Sequence, residues 1–284
     1  MEEDIHRIYK YFDWPRYPDD RRAIARSKNL VEMFKRVLKS HKAFNDIRKL
    51  NKLKILEIGS ATGIAGASLA KALSDLGFQV EIDFTDIRYD ELIYVDSWIG
   101  IHGISNIRYN KYVLDCRYIP RDVEEGEFHI VLFFGSSLPH LDNLEYVLTV
   151  LGIHHSLDFR GVYIVEQANI GWNLIRRRDF KDMLIESISD DGSGLLSTYS
   201  GYNKFLGVQY RRYYKIPGME YIGMMKSRLW DIASIIGINW IFFRHVDLMD
   251  IKDMRETNLV ISWNKRDLKV KWSEFMDDLQ NLNR

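Results

Sequence analysis

The chain has 284 residues, 46% hydrophobic and 28% charged, a composition typical of a globular protein with a large core. Forty basic and forty acidic residues cancel, so the basic excess of a nucleic-acid-binding protein is absent and nucleic acid is not the expected partner. A single cysteine, Cys116, excludes an intrachain disulfide and a zinc ribbon, and no metal site is predicted. No apolar run approaches the ~20 residues that span a bilayer. The N-terminus is acidic, unlike a signal peptide, so we expect a cytoplasmic protein without membrane contact.

Residues 1–50 are predicted to be largely helical. Apolar residues between Ser27 and Leu38 recur at helical spacing, which predicts a helix that packs on the rest of the protein. The preceding segment, Tyr9 to Trp14, carries four aromatic residues, too many for a solvated tail. Two interpretations stay open for it: an aromatic anchor to the core, or a lid over a binding site.

The segment from Lys54 to Gly66 has the pattern of a strand, a tight turn and a helix. An apolar run ends at Ile58, small residues form the turn, and apolar residues at helical spacing follow. Small residues let the backbone approach a ligand closely, and the start of the helix offers free N–H groups. The pattern is therefore typical of the opening of a nucleotide-binding βαβ unit.

Glu57 favours one class of nucleotide ligand. The spacing Ala61-x-Gly63-x-x-Gly66 nearly fits a dinucleotide fingerprint, with alanine at its first position. Glu57, however, lies two residues before Gly59 at the end of the strand, where a carboxylate repels a pyrophosphate and attracts a cation. This segment resembles the first motif of class I S-adenosylmethionine-dependent methyltransferases, whose cofactor carries an ammonium and a sulfonium group. Ala61 replaces the middle glycine of that motif, and a structural turn without a ligand stays the alternative.

The second strand is predicted over residues 78–87. An acidic residue about twenty positions after the glycine turn, at the end of a strand, is placed to bind both ribose hydroxyls. Asp86 fits this role better than Asp83, which the alternation of the strand places in its interior. The alternative role for Asp86 is to cap the helix that begins near Asp90.

The third strand is predicted over residues 107–113, and Asp115 and Cys116 follow it. In the family that the chain resembles, a polar residue at this place accepts a hydrogen bond from the adenine amino group and its neighbour donates to the ring. The resemblance implies these roles for Asp115 and Cys116. A lone aspartate in a loop is otherwise a turn residue. Cys116 is expected to be a small wall of the adenine pocket and not a nucleophile, because no flanking histidine or helix N-terminus is evident to lower its pKa.

The fourth strand is predicted over residues 128–134 and leads to the segment from Gly135 to Leu141. The sequence lacks the (D/N/S)-P-P-(Y/F/W) motif of base methylases at this place, and it lacks the double-glutamate loop of protein arginine methyltransferases. The segment instead resembles small-molecule enzymes of the glycine N-methyltransferase type. His140 is the candidate catalytic residue, as a general base or a substrate contact. The alternative is that it caps the following helix.

The remaining elements complete the sheet and add an insertion. A helix over 144–157 and a fifth strand over 161–167 end the repeating pattern, and alternating segments over 197–205, 207–216 and 219–225 predict a small antiparallel sheet above the site. A helix over 227–236, strands over 240–246 and 258–263 with a charged loop between them, and a final helix over 272–282 follow.

These elements predict an α/β fold, a Rossmann-like seven-stranded sheet with an antiparallel last strand, an N-terminal helical lid and a small antiparallel β insertion after the fifth strand. We expect an N-terminal lid over 1–50, an S-adenosylmethionine-binding core over 51–170, a substrate-covering insertion over 171–225 and the completion of the core over 226–284. The resemblance covers roughly residues 50–170 and the last two strands.

The resemblance implies a methyltransferase that uses S-adenosyl-L-methionine to methylate an N or O nucleophile of a small molecule. It implies cofactor contacts from Glu57, Gly59, Ser60, Ala61, Gly63, Asp86, Ile87, Asp115, Cys116, Phe134, Gly135 and Ser136. Aromatic walls exclude water and tolerate a sulfonium at their faces. The candidates for substrate binding are Tyr11, Trp14, Tyr17, Asn169, Trp172, Tyr199 and Tyr202, and for each aromatic residue simple packing is the alternative.

Two other classes of function stay open. An RNA or protein methyltransferase would join Arg176–Arg178 with Arg211, Arg212 and Lys215 into one basic face beside the pocket. A dinucleotide-dependent oxidoreductase, or a cofactor-binding module without turnover, would use the same glycine turn for a different ligand or purpose.

Overall fold

The structure is a computed structural model that describes residues 2–104, 107–135, 137–169, 181–251, 257–269 and 274–275. Helices α1 to α8 span Glu2–Tyr9, Arg21–Ser40, Ile64–Asp75, Tyr89–Leu92, Val95–His102, Ile119–Asp122, Asn143–Ser156 and Ile232–Phe242. Strands β1 to β11 span Lys52–Ile58, Gln79–Asp86, Ile107–Val113, Phe128–Phe133, Leu157–Ala168, Met183–Ile188, Gly194–Asn203, Val208–Ile216, Glu220–Arg228, Phe243–Asp250 and Thr257–Lys265.

Seven strands form the main sheet, in the order β10-β11-β5-β4-β1-β2-β3. The pairs among β1 to β5 are parallel, and β11 runs antiparallel to both of its neighbours. Helices cover both faces, so the buried positions of the inner strands are mainly apolar, as expected for parallel strands between helix layers. The predicted Rossmann-like sheet with an antiparallel last strand is confirmed.

Helices α2 and α3 pack together on one face of this sheet, and α7 and α8 pack together on the other. Helix α2 presents Leu30, Phe34 and Val37 to the core, which confirms the helical spacing read from the sequence. Within the described ranges, no helix has the combined length and apolar character that crossing a bilayer requires.

A second sheet of four antiparallel strands has the order β6-β7-β8-β9. Helix α1 packs on its edge strand β9, and Ile8 is buried with Leu195 and Tyr213. Sequence alternation predicted β7, β8 and β9 but missed β6, whose side chains are mostly exposed or half-buried. The N-terminal segment and this sheet therefore lie against each other.

The predicted strand over 240–246 is wrong at its start. Helix α8 continues to Phe242, so this part of the predicted strand is helical. The helix also begins later than predicted, because β9 extends to Arg228. Its N-cap is Asp231, whose side chain accepts a hydrogen bond from the Ser234 N–H. Asn239, buried between Tyr146 and Ser262, holds the last turn of the helix in place. The predicted charged loop from Asp247 starts as the end of β10, and residues 252–256 lie outside the described residues, as does most of the predicted helix over 272–282.

Candidate functional site

The turn after β1 is built from residues in the left-handed backbone region. Gly59, Ala61 and Gly63 have φ angles of 62°, 47° and 81°. Glycine adopts this region without strain, whereas Ala61 does so at a cost of about 1 kcal/mol. A Cβ atom on Gly59 would lie 2.9 Å from Ser137 Oγ, so the turn leaves no room for a side chain there. The small residues in the motif thus allow β1, β4 and α3 to meet closely.

Glu57 is buried beneath this turn. Its Oε1 atom accepts a hydrogen bond of 2.7 Å from the backbone N–H of Gly66, in the first turn of α3. A Cβ atom on Gly66 would collide with Glu57 Oε2 and lie 2.7 Å from the ring of Phe84, so glycine is required there. Oε2 has no hydrogen-bond partner among the described residues, and burial raises the pKa of Glu57 to about 8. A cation beside this carboxyl would favour its charged form.

Asp86 ends β2 and is also buried. Its Oδ2 atom accepts the Ala61 N–H at 2.8 Å, and its Oδ1 atom accepts the Arg88 N–H at 2.9 Å. The guanidinium of Arg88 donates to both carboxylate oxygens, from Nε at 3.0 Å and from Nη2 at 3.3 Å. Asp83, in contrast, accepts a hydrogen bond from Asn110 within the sheet and does not line the cavity described below. Asp86 therefore lines the cavity and Asp83 does not, and the ribose contact of Asp86 stays a prediction.

Asp115 and Cys116 follow β3, the strand next to β2. Asp115 Oδ1 accepts the N–H of Arg117 at 3.0 Å, the turn role that the sequence left open, and its carboxylate also pairs with the Arg117 guanidinium. Burial raises the pKa of the Cys116 thiol to about 12. A thiol with so high a pKa is a poor nucleophile, in agreement with its expected role as a wall.

His140 lies just after β4, in a short 3-10 helix that spans Leu138–His140. It does not cap α7, because Asp142 does so in a capping box with Glu145. His140 Nε2 lies 2.6 Å from the hydroxyl of Tyr9, and its buried Nδ1 has no partner among the residues that the structure describes. Burial, aided by the charge of Arg88, lowers the pKa of His140 to about 4, so its imidazole is neutral near pH 7.

A cavity of about 560 Å³ joins these groups. It is bounded by the carboxyl ends of β1, β2 and β4, by the loop after β3 and by a roof from α1 and β9. The predicted site residues that line it are Glu57, Gly59, Ser60, Ala61, Asp86, Ile87, Asp115, Cys116, Phe134, Gly135, His140 and Trp14. Gly63 lies just behind the lining and is the N-cap of α3.

Several predicted substrate-binding residues lie elsewhere. Tyr11, Tyr17, Asn169, Tyr199 and Tyr202 are not among the residues that line the cavity. Tyr17 donates to Glu91 beside the site, whereas Tyr202 is exposed on the second sheet. Ser136 and Trp172 lie outside the described residues. Substrate contacts from all of these residues stay predictions.

The structure adds further cavity-lining residues that the sequence did not identify, among them Tyr9, Arg16, Arg26, Arg88 and Lys226. Tyr9 belongs to the aromatic segment Tyr9 to Trp14, and its place in that segment was the only sequence feature that pointed to it. Arg88 follows Asp86 by two residues, a spacing that alone does not predict an ion pair. Lys226 comes from β9 and pairs with Glu145 at 2.6 Å, a contact between residues distant in the sequence.

No protein-family model matches the sequence, and no curated protein matches it significantly. Among solved structures, the PH0226 protein from Pyrococcus horikoshii OT3 is 16% identical with a TM-score of 0.56, over 89% of this chain and 97% of that chain. An S-adenosylmethionine-dependent methyltransferase from Clostridium acetobutylicum ATCC 824 is 10% identical with a TM-score of 0.58, over 84% and 92% of the two chains.

CalS10, an amino pentose methyltransferase from Micromonospora echinaspora solved with S-adenosylmethionine bound, is 12% identical with a TM-score of 0.50, over 87% of this chain and 96% of that chain. At identities this low, the similarity shows a shared fold. The chain therefore has the fold of S-adenosylmethionine-dependent methyltransferases, as its first motif predicted.

Proposed function

We propose that this protein is an S-adenosylmethionine-dependent methyltransferase that methylates a nitrogen or oxygen nucleophile of a small molecule. The observation that carries the proposal is the meeting of Glu57, Asp86 and Asp115 around the left-handed turn, in a single cavity on a methyltransferase fold. Glu57 lies at the end of β1 with Oε2 unpaired among the described residues, and a carboxyl at this place suits a cationic group of the ligand better than a pyrophosphate.

The cavity fits the cofactor in size and in the chemistry of its walls. Its volume of about 560 Å³ is within the range of small-molecule sites. Asp86 is the proposed partner of the ribose hydroxyls, and Ile87, Asp115 and Cys116 are the proposed walls of the adenine pocket. Glu57 would favour the positive end of the ligand through its buried Oε2.

Arg26 is the proposed partner of the cofactor carboxylate. It lines the cavity from α2, and among the described residues it makes one hydrogen bond, to the Pro15 carbonyl at 3.2 Å, and no ion pair. Burial lowers the pKa of Arg26, and the charge of Glu166 offsets this effect only in part. A carboxylate of the ligand would supply further compensation.

Bound S-adenosylmethionine would supply an activated methyl group. The chain's own residues must orient the acceptor, exclude water and take up one proton. His140 is the proposed catalytic residue, because it lines the cavity and its buried Nδ1 atom has no hydrogen-bond partner among the described residues. If Nε2 carries the ring proton toward the Tyr9 oxygen, Nδ1 can accept the proton that the acceptor N–H or O–H loses.

A small acceptor is proposed because α1 and β9 roof the cavity. Tyr9 of α1 contacts His140 at the edge of the cavity, and Ile5 and Met225 add apolar surface to the roof. CalS10, which has the same fold, is an amino pentose methyltransferase. A macromolecular acceptor is less well supported, because Arg211 of the predicted basic stripe is buried and donates a hydrogen bond to Ser197. The cytoplasmic location stays a prediction.

The test is calorimetric titration with S-adenosylmethionine, S-adenosylhomocysteine and NAD, each against the wild type and the Asp86→Ala variant. We expect the two sulfur-containing ligands alone to bind, with affinity lost by about 100-fold in Asp86→Ala, since two hydrogen bonds to a charged group disappear. Asp83→Ala is the matched control on the same strand and should bind like the wild type. Binding of NAD alone would overturn the proposal in favour of an oxidoreductase, and unchanged affinity in Asp86→Ala would overturn the assignment of the site.

A further inference from the structure

The proposed ribose carboxylate is already engaged by the protein itself. Asp86 accepts four hydrogen bonds, two from backbone N–H groups and two from the guanidinium of Arg88. A carboxylate has about four such positions, so none is left for a ribose. The two backbone donors are fixed by the turn and by the start of α4, whereas the Arg88 side chain can move. Arg88 therefore occupies the positions that two hydroxyl groups would need.

Arg88 has a second anionic neighbour in Glu91, one turn along α4. Its Nη1 atom lies 3.7 Å from Glu91 Oε1, and both Arg88 Nη1 and Glu91 Oε2 are buried atoms without a hydrogen-bond partner among the described residues. Arg16 Nε, 3.6 Å from Glu91 Oε2, is also without one. A buried donor or acceptor without a hydrogen bond lowers the stability of the protein. A modest movement of Arg88 toward Glu91 would form hydrogen bonds between such atoms.

Helix α1 contacts Arg88 through Tyr9. The Arg88 guanidinium lies 4.9 Å from the centre of the Tyr9 ring, and Tyr9 in turn contacts His140 across the cavity. Arg16 donates a hydrogen bond to the carbonyl of Tyr9 at 2.8 Å. Like Arg88, it also lies within ion-pair distance of Glu91. The side chain that blocks Asp86 and the residues that close the cavity thus form one buried network.

We propose that Arg88 is an intramolecular competitor for the ribose site, which pairs with Asp86 in the cofactor-free protein and moves to Glu91 when the cofactor binds. This inference rests on the proposed function, since it assumes that a ribose binds to Asp86. Replacement of Arg88 then strengthens cofactor binding, the opposite of what a cation that contacts the ligand would give. Glu91 acts as the alternative partner, so its loss weakens binding only while Arg88 is present.

The experiment is calorimetric titration of S-adenosylhomocysteine into the full-length wild type and the variants Arg88→Met, Glu91→Gln and the double variant. Methionine keeps an apolar stem beneath Tyr9 and cannot pair with Asp86. We expect the Kd to fall by about 5- to 10-fold in Arg88→Met and to rise by a similar factor in Glu91→Gln, each corresponding to the net gain or loss of one ordinary hydrogen bond. In the double variant, the effect of Glu91→Gln should disappear.

Lys111→Met is the matched control, because Lys111 on β3 pairs with Asp96 of α5 and is outside the cavity. It should bind like the wild type. If Arg88→Met folds, weaker or unchanged binding by that variant would overturn the inference. If Arg88→Met does not fold, unchanged binding by Glu91→Gln would overturn it. Failure of the wild type itself to bind S-adenosylhomocysteine would overturn the proposed function, whereas wild-type binding with the wrong response to these variants would overturn this inference alone.

Discussion

The turn after β1 and the roof formed by α1 and β9 face each other across one cavity but are held by different interactions. The turn is fixed by backbone hydrogen bonds, from Ser60 N–H to the Thr85 carbonyl and from Gly63 N–H to the Ser60 carbonyl, both 2.8 Å. The roof is held by side chains, such as Tyr9 on His140. Substitutions in the turn should therefore destabilise the whole fold. Substitutions in the roof should loosen the roof and leave the main sheet intact.

Gly66→Ala tests the turn and should have the largest effect. The added Cβ atom would collide with Glu57 Oε2 and approach the Phe84 ring, and both are packed in the core. We expect the free energy of unfolding to fall by about 2 kcal/mol or more, as in other overpacked cores, measured by chemical denaturation. Gly100→Ala, in α5 with open space around it, is the control and should be neutral or stabilising by about 0.5 kcal/mol. Equal stability of the two variants would contradict the close packing of the turn.

The buried Glu57 should make stability depend on pH. Because its pKa is raised to about 8 from 4.5, the folded protein binds a proton more tightly than the unfolded chain. The stabilising contribution is complete below pH 4.5 and is lost as the pH rises toward 8, by up to about 1.4 kcal/mol per pH unit. Denaturation at several pH values should show the wild type losing stability relative to Glu57→Gln over this interval. A constant difference between the two proteins would show that Glu57 has an ordinary pKa.

Tyr9→Phe tests the roof. The change removes the hydroxyl that contacts His140 and leaves Nε2 of that histidine without its partner, which costs about 1–2 kcal/mol. We expect a lower free energy of unfolding and faster proteolytic cleavage within residues 10–20, with an unchanged circular dichroism spectrum. Tyr11→Phe is the control in the same segment, because Tyr11 is partly exposed and outside the cavity lining. Similar behaviour of both variants would argue against closure through Tyr9.

Cys116 should give the smallest effect. Because the pKa of its thiol is raised to about 12, we expect it to react with a thiol reagent at pH 8 far more slowly than the same cysteine in the unfolded protein. Cys116→Ser should change the affinity for S-adenosylhomocysteine by no more than about threefold, since both side chains are small. Rapid labelling of the folded protein would show that this wall of the cavity opens readily.

The turn after β1 was predicted from the sequence more accurately than the elements around the second sheet. The strand–turn–helix pattern from Lys54 to Gly66 and the acidic residue at the end of β2 were recognisable because each depends on neighbours close in the chain. The extent of α8 was mispredicted, since the start of that helix depends on how far β9 runs and on the cap at Asp231. The strand β6 was missed because its exposed face gives it little apolar alternation.

The sequence by itself determined the fold class, the order of the main elements and the carboxyl groups at the edge of the sheet. These follow from local periodicity and from the small residues that a tight turn requires. Only the tertiary structure brought Tyr9 to His140, 131 residues away, and enclosed Arg88 between Asp86 and Glu91 beside the Tyr9 ring. Such contacts depend on how separate elements pack against each other, and no spacing within a single segment encodes them.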